Sequence, residues 1–94
     1  MEIEELIYAL QETISYLRKS ESSDPLQMSV EEMIRRLEAE VAKAKNAKPV
    51  DIILLDRLFA PTGAIQKISI NNGWGTKFLR ISETIDRFTG SGND

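Results

Sequence analysis

Apolar side chains recur at helical spacing along most of the chain. Ile3, Leu6, Ile7, Leu10, Ile14 and Leu17 form one continuous stripe, the mark of an amphipathic helix with a single buried face. Glu2, Glu4 and Glu5 stand in its first turn, and Arg18 and Lys19 in its last. Each group opposes the sign of the helix dipole at its end. The pattern predicts a helix over about 2–19. Residues 20–28 carry no period, and their serines and the Asp24-Pro25 step read as a turn.

A second stripe runs through Val30, Met33, Ile34, Leu37, Val41 and Ala44. Ser29 with Glu32 three residues on is a capping box, and Met28 with Met33 is a hydrophobic staple. These signals predict a helix over about 29–47. Ile3–Ile7 and Val30–Ile34 are alike in sequence, a similarity that two short amphipathic helices under the same packing demand explain without a duplication. Glu31 with Arg35, Glu32 with Arg36, and Glu83 with Arg87 stand at i,i+4 spacing and mark solvated faces.

Beyond Lys48 the elements shorten. Pro49 suits a first helical position, and the run Val50–Phe59 is the most apolar of the chain. Asp51 near its start and Arg57 near its end favour a helix over a strand. Pro61 stops that element and Thr62 is placed to cap the next. Residues 63–72 are ambiguous: Gln66–Ile70 alternates in part, and Asn72-Gly73 is a hairpin signal. The segment that would supply the partner strand has Phe78, Leu79, Ile81, Ile85 and Phe88 at helical spacing. So 63–72 reads as a helix ended by Gly73 in a left-handed position, and 77–89 as the last helix, with Thr76 as its cap.

The expected fold is all-α. A small helical bundle has a long N-terminal antiparallel hairpin (about 2–19 and 29–47) packed by three shorter helices (about 50–59, 63–72 and 77–89). Residues 1–89 form a single domain and 90–94 a fraying tail. The expected core contains Ile3, Leu6, Ile7, Leu10, Ile14, Leu17, Val30, Met33, Ile34, Leu37, Val41, Ile53, Leu54, Leu58, Ile68, Phe78, Ile81 and Ile85.

Composition narrows the chemistry. The 94 residues are 41% apolar and 29% charged, a globular balance. With no cysteine and no histidine, thiolate zinc sites, thiol nucleophiles and imidazole acid–base chemistry are absent. The net charge of −3 disfavours nucleic acid and suits a basic protein partner. No apolar run reaches the length of a membrane span. The first residues have neither the basic nor the apolar region of a secretory leader, so a cytoplasmic location is the default.

Four constellations remain. Glu2 with Glu5, and Glu83 with Asp86, have the acid-x-x-acid spacing of helical magnesium sites, but the pairs lie at opposite ends of the chain among surface charges. Ala60-Pro61-Thr62-Gly63-Ala64 places a glycine near a helix start without the Lys-Ser/Thr of a phosphate loop. Arg35, Arg36, Lys43, Lys45 and Lys48 are interleaved with Glu38 and Glu40 and lack aromatic companions. The fourth is the corner Asn71-Asn72-Gly73-Trp74-Gly75-Thr76. Tryptophan is enriched at binding hot spots, yet small bundles also use one large aromatic to plug an end. The functional expectation is a non-catalytic, cofactor-free protein-binding module with Asn71, Asn72, Trp74 and Lys77 as its contact residues. Its narrower form is an immunity or antitoxin protein that neutralises a toxin. A homodimeric structural or regulatory bundle is the second expectation, and a carboxylate-metal hydrolase a remote third.

Overall fold

A computed structural model describes residues 2–21, 28–61 and 63–90. Among these the chain forms five helices and no strand: α1 (Glu2–Arg18), α2 (Val30–Lys45), α3 (Ile52–Leu58), α4 (Ala64–Asn71) and α5 (Gly75–Thr89). The all-α bundle with its N-terminal hairpin is therefore present. The Asp24-Pro25 turn, the Thr62 cap and residues 91–94 of the tail lie outside the described residues.

α1 and α2 share the most extensive packing, and α5 lies along α1. α1 and α2 run antiparallel: Arg18 at the end of α1 meets Glu38 at the middle of α2, while Gln11 and Ile14, earlier in α1, line one groove with Val41 further along α2. α5 is antiparallel to α1 as well. Tyr16 stacks on Trp74, Glu12 pairs with Arg80, and Tyr8 lies across from Thr84. α3 and α4 both pack on α5.

The two stripes fill the core as their spacing demands. Leu6, Leu10, Ile14 and Leu17 from α1 meet Met33, Leu37 and Val41 from α2, and Ile81 and Ile85 of α5 join the same cluster. Ser29 caps α2, its hydroxyl accepting from the Glu32 amide (3.1 Å). The Glu32 carboxylate holds both Arg36 and Arg35, so Arg35 turns to Glu32 rather than Glu31. Arg87 likewise reaches Thr84 in place of the expected Glu83.

Departures concentrate in the short elements. α3 is capped by Asp51, whose carboxylate accepts from the Leu54 amide (3.0 Å). Pro49 therefore lies before the helix, not in its first turn. Phe59 and Leu55 are buried, whereas Ile53 is 68% exposed and Ile3 lies at the edge of the bundle. A seven-residue helix has one buried side, and a run of four apolar residues does not say which members occupy it. Leu55, Leu58 and Phe59 do, and Phe59 stacks parallel to Phe78. α5 starts two residues earlier than the periodicity places it. Trp74 occupies the N-cap position and its carbonyl accepts from the Phe78 amide (2.9 Å), so Thr76 lies within the first turn.

Candidate functional site

Asn71, Asn72, Trp74 and Lys77 surround the corner between α4 and α5. The corner is built by the end of α4. Asn72 closes the helix and Gly73 follows at φ 84°, a left-handed conformation that costs a residue with a Cβ about 1–2 kcal/mol. The Trp74 amide then donates to the Ser69 carbonyl (2.8 Å) and the Gly73 amide to that of Ile70 (3.4 Å). These two bonds are the Schellman pattern, in which an apolar residue after the glycine folds back on the helix end.

That geometry delivers Trp74 to the interior. It is 5% exposed, its ring stacks on Tyr16 at 4.9 Å between centroids, and its Nε1–H donates to the Ser20 hydroxyl (2.9 Å). The Ser20 hydroxyl in turn donates to the Tyr16 carbonyl (2.8 Å). Asn72 works beside it: Oδ1 accepts from the Glu21 amide (3.2 Å), and Nδ2 donates to the carbonyls of Glu21 (3.0 Å) and Ile68 (2.9 Å). One amide side chain thus clasps the chain leaving α1 to the corner ahead of α5. Trp74 is thus buried as a plug at this end of the bundle, and Asn72 is engaged within the chain. Asn71 and Lys77 are exposed.

The other constellations resolve physically. A Cβ at Gly63 would stand 2.9 Å from the Arg57 carbonyl oxygen, and the Gly63 amide donates to the carbonyl of Ala60 (2.9 Å). Carbonyls crowd this turn, which repels an anion rather than cradling one. Among the described residues no three acidic side chains gather to hold a metal ion. Glu38 is exposed and pairs with Arg18, but Glu40 is 3% exposed. Its Oε1 accepts from the Asp51 amide (2.7 Å) and its Oε2 from Lys43 Nζ (3.0 Å). Met33, Leu37, Glu40 and Ala44 share one stripe at spacings of four, three and four, so the sequence carried the signal for this buried carboxylate.

Among the described residues three surfaces stand out beside the exposed Ile52 and Ile53 of α3. A groove of about 510 Å³ between α1 and α2 has Ile14 and Val41 as its floor and Gln11, Ser15, Arg18, Lys19 and Glu38 around it. The Arg18–Glu38 pair (2.5 Å) joins its two sides. At the α4–α5 corner, Ile70 and Leu79 are both exposed; Ile70 packs on Gly75, one turn before Leu79.

The third surface is a groove of about 250 Å³ between α1 and α5. Ala9 and Ile81, both buried, form its floor. Tyr8 stands over it 72% exposed, with Glu5, Glu12, Arg80 and Thr84 as walls. Arg80 is partnered by Glu12 at 3.6 Å, so the charge left over at the groove is negative. Tyr8 sits between the stripe residue Ile7 and the buried Ala9, on the polar side of α1 relative to Leu6 and Leu10. A large aromatic on the polar side of an amphipathic helix was the available signal for this surface, and stripe reading passes over it. Comparison with known protein families, with characterised proteins and with solved structures finds no match to this chain.

Proposed function

We propose that the chain is a protein-binding module that works without catalysis. The observation that carries this reading is Tyr8, a large aromatic held 72% in solvent over a groove with an apolar floor. Among the described residues the large apolar side chains left exposed include Ile53, Ile70 and Leu79, and Tyr8 is the aromatic one. Tyrosine is among the residues that dominate binding energy when a partner desolvates them. The narrower form of the proposal is a small neutralising protein of the immunity or antitoxin type. Its support is 94 residues, a net charge of −3 and the lack of thiol and imidazole groups; the partner it calls for is basic, the complement of that charge.

The test is capture from the native host with the full chain, run in parallel with Tyr8→Ala. The expected result is one stoichiometric protein complex with the wild type that is lost or strongly weakened in the variant. The isolated partner then raises the melting temperature of the wild-type chain in proportion to the logarithm of its concentration. Self-association alone, or the same complex at full strength with Tyr8→Ala, contradicts the proposal.

A further inference from the structure

We infer that the α1–α5 groove receives a basic amphipathic helix of a partner protein, with Tyr8 packing on its apolar side and Glu5 facing its cations. The inference rests on the protein-binding reading and adds the place and the chemistry of the partner. Three observations carry it. The groove runs between two antiparallel helices and has a buried apolar floor, Ala9 and Ile81, which is the shape that accepts an amphipathic helix. Tyr8 extends the apolar surface outward from that floor. The charges do not cancel: Arg80 is held by Glu12, whereas Glu5 on the groove wall is exposed and has no ion-pair partner among the described residues. A basic segment complements this rim, and an acidic one is repelled by it.

The other surfaces fit less well. At the α1–α2 groove the Arg18–Glu38 pair cancels and, among the described residues, Lys19 is left over, so that rim repels a basic segment. The Ile70–Leu79 strip is apolar but shows no charge pattern that selects an occupant.

The experiment titrates three synthetic 18-residue peptides into the isotopically labelled full chain and follows its backbone amides by NMR. The first peptide carries Leu on one helical side and Lys on the other. The second has Glu in place of every Lys, and the third has the composition of the first in an order without helical periodicity. Saturable binding of the first peptide alone is expected, with the largest shifts at Glu5, Tyr8, Ala9, Glu12, Arg80 and Thr84. Tyr8→Ala is expected to weaken it about tenfold, the scale of a hot-spot truncation. Glu5→Lys is expected to weaken it and flatten its salt dependence. Both positions are exposed, so unchanged melting temperatures check that the variants remain folded.

Equal binding by the third peptide shows diffuse attraction and overturns the inference. So do shifts centred on Ile70 and Leu79, or full affinity in Tyr8→Ala. Failure here with successful capture from the host leaves the protein-binding reading standing and moves its surface elsewhere. Failure of both removes the reading itself.

Discussion

Two helices of this bundle end in the same backbone motif and use it differently. α4 ends at Asn72 with Gly73 at φ 84° and Trp74 beyond. α2 ends at Asn46 with Ala47 at φ 58° and Lys48 beyond. In both, the residue after the left-handed one donates back into the helix: Trp74 to the Ser69 carbonyl (2.8 Å) and Lys48 to that of Lys43 (2.8 Å). At α4 the motif drives an aromatic into the core. At α2 the residue in the equivalent place is an exposed lysine, and the chain is secured a few residues later, where buried Glu40 accepts from the Asp51 amide. A capping motif therefore fixes the direction of the chain, and the next residues decide whether the turn holds by packing or by a hydrogen bond to a buried charge.

The contrast predicts a graded set of variants. Trp74→Ala has the largest effect. It removes the Tyr16 stack, the bond to Ser20 and the plug itself, and a loss of about 3–5 kcal/mol is expected, read from the urea midpoint. Because total stability for such a domain is on the order of 5–15 kcal/mol, this variant approaches global unfolding. Glu40→Ala comes next. It leaves the Asp51 amide without its acceptor, at a cost of about 1–3 kcal/mol. Hydrogen exchange at Asp51 should rise more than exchange at Leu10 or Leu37, which are reached only by global opening.

The left-handed positions give smaller and opposite effects. Gly73→Ala places a Cβ in that conformation and should destabilise by about 1 kcal/mol. Ala47→Gly relieves the same strain and should raise stability by about 0.5 kcal/mol, the relief being partly offset by the freer unfolded chain. Equal effects of the same sign at the two sites would break the comparison. Lys48→Ala should stay within about 0.5 kcal/mol of the wild type, since its amide and not its side chain makes the turn.

Long and short helices differ in how much of them the sequence states. α1 and α2 were legible because sixteen or more residues sample the helical period several times, and Ser29 states the start of α2 chemically. In Ile52-Ile53-Leu54-Leu55 every position is apolar, so there is no phase to read, and the burial of Leu55 with the exposure of Ile53 follows from tertiary packing on α5. Glu40 lay on the α2 stripe but its charge suggested solvent. The bond to the Asp51 amide that makes its burial tolerable is a contact eleven residues away, which periodicity does not encode. Trp74 was legible only as a choice between plug and anchor. The Asn-Gly helix end preceding it was the local sign that it turns inward. Tyr8, which carries the candidate surface, was invisible to a search for buried stripes because it belongs to none.

The central claim is that the Asn72–Trp74 corner closes the bundle and that binding is left to exposed surfaces elsewhere. Trp74 is the only tryptophan, so its fluorescence in the native full chain reports on this corner alone. The account predicts blue-shifted emission and weak quenching by acrylamide, both unchanged when a partner binds. Emission typical of indole in water, with efficient quenching that a partner then suppresses, would place Trp74 in the interface and contradict it.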